Sequence, residues 1–172
     1  MITRILQVTS IEAQPVEADL QEVNLRSFLD ELSSAYQIPL SKELALNWNY
    51  PSDLPVLKTD GQKLKQILQN LIINAIKFTE KGSVTISARR LPDLEAVEFK
   101  VADTGVGIPQ DALPFIFEKF RQVDSSETRT YGGVGMGLYI VKKFTELLGG
   151  QIRVDSELEK GSTFTVCLPI QA

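Results

Sequence analysis

Residues 61–79 read GQKLKQILQNLIINAIKFT, a stretch with the period of an amphipathic helix. With about 100° between successive residues of a helix, Asn70, Asn74 and Lys77 share one face, while the leucines and isoleucines share the other. Most polar stripes of this kind are solvated faces. Asparagine, however, costs a helix about 0.5 kcal/mol more than leucine or lysine, so two of them in mid-helix indicate a function. Amide oxygens suit a Mg²⁺ ion shared with phosphates, and Lys77 can neutralise a phosphate oxygen.

A second signature follows a predicted strand at 97–102, whose apolar residues alternate. The strand leads into Asp103-Thr-Gly105-Val-Gly107. On its own, Asp-x-Gly is an ordinary turn. At the end of a strand, its carboxylate can accept a hydrogen bond from an exocyclic amine, which adenine has at this edge and guanine does not. The glycines let a ring approach the backbone closely.

A glycine-rich stretch, Gly132-Gly-Val-Gly-Met-Gly137, runs directly into a predicted helix at 138–148. Free amides at the start of a helix commonly bind phosphate oxygens. The stretch is not a Walker loop, because no Gly-Lys-Ser/Thr follows it. Together the three signatures predict a site for a Mg-nucleotide.

These motifs resemble the catalytic, ATP-binding domain of sensor histidine kinases, within the superfamily of gyrases, heat-shock chaperones and histidine kinases. The resemblance covers the chain from about residue 22 to its end. The similar segments are residues 70–79 (N box), 103–107 (first G box), 117–120 (F box), 133–138 (second G box) and 160–164 (last G box). All five occur in the family's order.

The resemblance implies a role for each matching residue. Asn74 would coordinate Mg²⁺ with Asn70 beside it, and Lys77 would contact the phosphates. Asp103 would bind the adenine amino group. Phe78 and Ile108 would line the base. The other residues implied in cofactor binding are Gly105, Gly107, Gly133, Gly135, Gly137, Leu138 and Thr163.

The polar stretch 122–131 would form a mobile lid over the triphosphate. Many family members read Phe-Tyr-Arg after the F box, with that arginine on the γ-phosphate. This chain reads Phe-Arg-Gln at 120–122 instead. Lys119, Arg121 and Arg129 therefore stay open as alternatives for the lid cation.

Two absences bear on the chemistry. In the superfamily's ATPases, a glutamate four residues before the Mg-binding asparagine activates water, whereas this chain has Asn70, which cannot act as a general base. We therefore expect slow hydrolysis. In a histidine kinase the phosphate acceptor is a histidine on a separate dimerisation domain, and this chain contains no histidine. We expect a piece of a longer kinase that binds ATP without labelling itself.

The predicted organisation has two parts. Residues 1–21 are interpreted as the tail of the second helix of a dimerisation domain plus a linker, and residues 22–172 as the ATP-binding catalytic domain. The first interpretation depends on apolar residues at 2, 5, 6 and 8 and on the Ser-Ile-Glu-Ala ending at 10–13. The alternative is a frayed amphipathic arm of other origin.

The predicted elements indicate an α/β fold. Besides those already named, they are a helix at 24–36, strands at 44–48 and 57–59, a strand at 84–89 paired with 97–102, and a closing hairpin of 151–155 and 163–168. Adjacent strands with helices on one face predict a two-layer α/β sandwich with a mixed sheet. The resemblance implies the same architecture, the Bergerat-type ATP-binding fold.

Composition excludes some classes. A net charge of −4 and a pI near 5.0 argue against a nucleic-acid binder. No apolar run has membrane-spanning length and no signal peptide is evident, so we expect a cytoplasmic domain without membrane contact. Sensor kinases are often membrane proteins, and such an anchor would lie outside this sequence. The single Cys167 is interpreted as a structural side chain.

The aromatic cluster Phe115, Ile116, Phe117 and Phe120 has two interpretations. We favour core packing beneath the lid. The resemblance suggests, in addition, contact with the dimerisation helices during phosphotransfer. Both require the same apolar residues, so the motif does not separate them.

Three functions are compatible with the sequence. The first is a histidine kinase domain that transfers the γ-phosphate of MgATP. The second is a non-catalytic nucleotide-binding or docking module, and the third is a serine kinase of the same superfamily. For the first, the resemblance implies three partners: a dimerisation/phosphoacceptor domain of the same kinase, the receiver domain of a response regulator, and a second copy in a homodimer.

Overall fold

The computed structural model describes residues 17–118 and 137–171. The elements in these ranges are β1 (Gln21–Asn24), α1 (Leu25–Ser33), β2 (Glu43–Asn49), β3 (Val56–Thr59), α2 (Gly61–Lys77), β4 (Lys81–Leu91), a 3₁₀ turn (Pro92–Leu94), β5 (Ala96–Asp103), a second 3₁₀ turn (Leu113–Phe115), α3 (Gly137–Leu147), β6 (Gln151–Glu157) and β7 (Gly161–Pro169).

Five strands form the main sheet in the order β2-β4-β5-β7-β6. β2 runs parallel to β4, and the other neighbouring pairs are antiparallel. The predicted mixed sheet is therefore confirmed. β1 and β3 form a separate antiparallel pair in which Gln21 lies opposite Thr59.

Side chains on one face of the main sheet build the core. Val84, Phe99, Val101 and Val166 are buried there, together with the apolar sides of the three helices. The opposite face is polar, as residues on alternate positions of a strand point to opposite sides. It carries Glu98, which lies 2.9 Å from Arg89 and 3.6 Å from Lys100, along with several threonines. The predicted two-layer sandwich is confirmed.

Helix α2 lies on the core face and begins at a strong N-cap. The Asp60 side chain accepts hydrogen bonds from the backbone N–H groups of Gln62 and Lys63. Its buried side is made by Leu64, Ile67, Leu68, Leu71, Ile72 and Ala75, as the helical spacing predicts. α3 packs beside it on the same face. The polar side of α2, opposite its buried side, carries Asn70, Asn74 and Lys77.

Some element boundaries differ from the sequence predictions. α1 ends at Ser33, three residues before the predicted end, where the hydroxyls of Ser33 and Ser34 donate to carbonyls three residues earlier. α2 ends at Lys77 and not at residue 79. β4 is longer than predicted, and β1 was not predicted as a strand. Within the described ranges, no helix is long and apolar enough to cross a membrane.

Candidate functional site

The polar side of α2 presents its two asparagines and a lysine along one line. Asn70 is buried, with 6% of its surface exposed, while Asn74 and Lys77 are half-buried. Within residues 17–118 and 137–171, the amide of Asn70 has no hydrogen-bond partner. The Asn70 amide is not among the fully buried polar atoms that lack a partner, so it reaches the surface, where a ligand could contact it.

Asp103 ends β5, between β4 and β7, opposite Val84 on one side and Ser162 on the other. Its Oδ1 atom accepts hydrogen bonds from the backbone N–H groups of Gly105, at 2.9 Å, and Ser162, at 3.3 Å. In the described part of the chain, Oδ2 has no partner. Burial raises the pKa of this carboxyl above its usual value, although the two backbone hydrogen bonds act in the opposite direction.

The turn after Asp103 packs directly on the end of α2. Val106 N–H donates to the carbonyl of Phe78 at 3.2 Å. A side chain at Gly105 would collide with that carbonyl and with the hydroxyl of Thr79. The glycine is therefore required by close approach of two backbones, and the contact joins the Asp103 loop to the helix that carries Asn74.

The hairpin between β6 and β7 supports the loop from its other side. Ile108 N–H donates to Ser156 Oγ at 2.8 Å, and Ser156 Oγ lies 2.7 Å from Ser162 Oγ. Glu159 N–H donates to the Val106 carbonyl at 2.7 Å. Gly107 has a φ of +73° and sits against the backbone of Glu157. Ile108 is thus linked through Ser156 and Ser162 to the Asp103 carboxylate.

The pairing register separates Ser162 from its neighbour Thr163. Ser162 lies opposite Asp103 and shares its face of the sheet, whereas Thr163 lies opposite Ala102 and points to the polar face. The structure therefore does not bring Thr163 to the site and brings Ser162 there instead. Ser162 alternates with the buried Phe164 and Val166, and this period of two is the sequence signal that could have identified it.

Any metal at this site would depend on neutral ligands. In the described ranges, no group of three or more histidine, cysteine, aspartate or glutamate side chains could hold a metal ion. The amide oxygens of Asn74 and Asn70 fit Mg²⁺, which commonly takes one or two protein ligands and completes its shell with water and phosphate. Cys167 lies on the polar face, away from the site, and burial raises the pKa of its thiol.

Comparison with known protein families gives a direct match over most of the chain. Residues 59–172 match the model of the "Histidine kinase-, DNA gyrase B-, and HSP90-like ATPase" family. The chain belongs to this family. The resemblance predicted from the five boxes is confirmed.

Relatives within this ATPase family are sensor kinases. The chain is 37% identical to the autoinducer 2 sensor kinase/phosphatase LuxQ of Vibrio vulnificus over 99% of its length, and 39% identical to the aerobic respiration control sensor protein ArcB of Escherichia coli over 95%. It spans about a fifth of the length of these curated relatives, 21% in each case.

Solved structures show the same fold. A crystal structure of full-length ShkA in complex with AMPPNP matches 98% of this chain and 35% of that protein, with a TM-score of 0.84 and 34% identity. The nucleotide-free catalytic domain of histidine kinase ThkA matches 89% of this chain and 97% of that one, with a TM-score of 0.74. At 24% identity, the ThkA match shows the fold alone.

Of the predicted site, the ATPase-family fold brings together the parts from α2, β5 and the turn after it. Phe78 and Ile108 are half-buried near Asp103 and Gly105, and α3 begins with buried Gly137 and half-buried Leu138. Gly133, Gly135, the lid stretch 122–131 and the candidate cations Lys119, Arg121 and Arg129 lie outside the described residues, as do residues 1–16.

The aromatic segment after the Asp103 loop is only partly buried. Ile116 is 4% exposed, and Phe117 packs edge-to-face on Phe164 at a centroid distance of 6.2 Å. Phe115 is 40% exposed. Core packing therefore accounts for Ile116 and Phe117 but not for Phe115; Phe120 lies outside the described part of the chain.

Proposed function

We propose that the chain is the ATP-binding catalytic domain of a two-component sensor histidine kinase. It transfers the γ-phosphate of MgATP to a histidine on a dimerisation domain. The observation that carries this proposal is the fixed Asp103 carboxylate, whose Oδ2 faces no protein donor in the described ranges, joined through Gly105 and Phe78 to the asparagine face of α2.

Each residue has a physical task in this proposal. Asp103 Oδ2 accepts from the adenine amine, and Ile108 and Phe78 flank the base. Asn74 and Asn70 hold Mg²⁺, which neutralises charge on the phosphates when it is bound. Lys77 binds a phosphate oxygen. The chain contributes positioning and electrostatics, as phosphoryl transfer requires, and Asn70 offers no base to activate water.

The acceptor belongs to a partner in this account, because none of the 172 residues is a histidine. We propose a dimerisation/phosphoacceptor domain as the direct partner, the receiver domain of a response regulator as the next acceptor, and a homodimeric longer kinase. The sensor-kinase names of LuxQ and ArcB support this placement. The domain would act in the cytoplasm.

Transfer in trans tests the proposal. The purified chain is mixed with a histidine-bearing dimerisation domain of a sensor-kinase relative and with ATP labelled at the γ-phosphate. We expect an acid-labile, alkali-stable label on the added domain, lost in Asn74→Ala and kept in the matched control Thr163→Ala, whose side chain lies on the other face of the sheet.

Other outcomes would contradict the kinase assignment in different ways. An acid-stable label would favour the serine kinase. Tight nucleotide binding without any transfer to several such domains would favour the non-catalytic module. Rapid phosphate release by the chain alone would refute the argument from Asn70.

A further inference from the structure

The end of α2 carries two proposed ligand contacts, Lys77 and the C-cap residue Phe78, and Asn74 lies about one turn earlier. The end of a helix leaves carbonyl groups without partners inside the helix. If these groups lack partners elsewhere, the last turn frays and the side chains on it lose their positions. What pairs with these carbonyls therefore matters to the site.

Lys42, just before β2, pairs with three carbonyls at this end of α2, of which that of Ile76 also accepts from the Thr79 N–H group. Its Nζ atom donates to the carbonyls of Ile76, Lys77 and Thr79, at 2.5, 3.2 and 3.3 Å. Only 12% of the Lys42 side chain is exposed. An ammonium group has three hydrogen-bond donors, and a positive charge is favourable at the C-terminal end of a helix. Lysine therefore suits this position both in its number of donors and in the sign of its charge.

Lys42 also pairs with Glu80, at 3.4 Å, but this contact is peripheral. The Glu80 side chain is 59% exposed, and exposed ion pairs contribute little. The carbonyls, not the carboxylate, are the partners that depend on Lys42.

The remaining carbonyl in this turn is held from the opposite side. Phe78 O accepts from Val106 N–H, which belongs to the loop that follows Asp103. The end of α2 is thus fixed between Lys42 on one side and the Asp103 loop on the other. Loss of Lys42 removes three hydrogen bonds from one side of the turn, while the Val106 contact on the other side remains.

We propose that Lys42 is a positioning residue of the nucleotide site, holding the last turn of α2 so that Asn74, Lys77 and Phe78 can bind the nucleotide. This proposal rests on the proposed function. Lys42 touches neither base nor phosphate in it and acts only through the backbone of α2.

The first test is nucleotide affinity, measured calorimetrically with AMPPNP and Mg²⁺. Lys42→Met keeps the apolar stem and removes the donors, and we expect at least tenfold weaker binding by the folded variant. Lys42→Arg, which keeps charge and several donors, should restore most of the affinity. Glu80→Gln and the surface control Lys81→Met, whose side chain is 83% exposed, should bind within twofold of wild type.

The second test separates positioning from general destabilisation. Amide hydrogen exchange in Lys42→Met should accelerate at Phe78 and Thr79, which close the last turn, and at Val106. It should stay unchanged at Leu64, whose N–H bonds to Asp60 at the other end of the same helix. A purely structural role would accelerate both ends equally.

The outcomes are distinct. Wild-type affinity in folded Lys42→Met, or equal acceleration at both ends of α2, overturns this proposal alone. Failure of the wild-type chain to bind AMPPNP overturns the proposed function as well. Should Lys42→Met not fold, Lys42→Gln, which keeps one amide donor group, carries the same two expectations.

Discussion

At the scale of single residues, the proposed role of Asp103 in base selection depends on the orientation of its carboxylate. Gly105 and Ser162 both donate to Oδ1, so the two carboxylate oxygens are not equivalent. In the proposed function, Oδ2 is the oxygen that accepts from the base. Adenine offers an amine at this edge, whereas guanine offers a carbonyl oxygen that an ionised carboxylate repels.

This asymmetry predicts the behaviour of Asp103→Asn. The two backbone N–H groups require an acceptor, so the amide oxygen takes the place of Oδ1 and the NH₂ group faces the base. We expect at least tenfold weaker binding of an ATP analogue and a smaller preference for it over the GTP analogue. Calorimetric titration of both nucleotides checks this. Asp155→Asn, on an exposed side chain of β6, is the matched control.

Unchanged selectivity in Asp103→Asn would mean that another group reads the base. An equal loss of affinity for both nucleotides would mean that Asp103 holds the loop without contacting the base.

Glu159 is a residue in a conformation that its side chain does not favour. Its φ is +65°, in the left-handed region, where a residue with a Cβ is strained by about 1–2 kcal/mol. Glycine avoids the strain but loses more entropy on folding, by about 0.5–1 kcal/mol. We expect Glu159→Gly to stabilise the chain by about 0.5 kcal/mol, as measured by urea unfolding.

The neighbouring Glu157, in β6, is the control for this substitution. Its replacement by glycine should destabilise the chain, because glycine loses more entropy on folding and relieves no backbone strain in a strand. A loss of stability in Glu159→Gly as large as that in Glu157→Gly would contradict the strain argument.

At the scale of elements, α2 depends on its N-cap. Asp60 is buried and accepts from Gln62 and Lys63, and also from the backbone N–H of Asp19 at 2.9 Å. Burial alone would raise its pKa, but these hydrogen bonds and the Lys63 ammonium outweigh it, so the pKa is lowered. At pH values above the pKa of an unfolded aspartate, Asp60 therefore stabilises the fold. This contribution is lost as the pH falls through the lower pKa that Asp60 has in the folded chain.

We expect Asp60→Ala to cost about 1–2 kcal/mol of unfolding free energy at neutral pH, and the cost to shrink on acidification. Urea unfolding between neutral and acidic pH measures both. Asn24→Ala removes the cap of α1, which makes a single hydrogen bond to Ser27 and carries no charge. Its smaller cost should not change with pH. A pH-independent cost for Asp60→Ala would contradict the linkage argument.

The long elements could be predicted from the sequence because each repeats a clear period. The leucines and isoleucines of α2 mark its core face, and alternation marks β5. β1 could not be predicted, because its sequence QEVN is short and polar and becomes a strand only by pairing with β3. Lys42 could not be linked to α2 either, since Lys42 and Ile76 are 34 positions apart in the chain and are brought together only by the fold.

At the scale of the whole molecule, the site joins segments far apart in the chain. The asparagines come from α2, the carboxylate from β5, and one of its two N–H donors from β7. The box motifs indicated α2, the end of β5 and β7 as parts of this candidate site. They could not predict which residue of the last box faces inward, because strand register selects Ser162 over Thr163.

In the proposed function, these segments form one Mg-dependent, adenine-selective nucleotide site. Calorimetric titration with a non-hydrolysable ATP analogue tests it most directly, with and without Mg²⁺, against the GTP analogue and against Asp103→Ala. We expect micromolar binding, about −8 kcal/mol, that requires Mg²⁺, is much weaker for the GTP analogue and is lost in the folded variant. No binding by the wild-type chain under any of these conditions would contradict it.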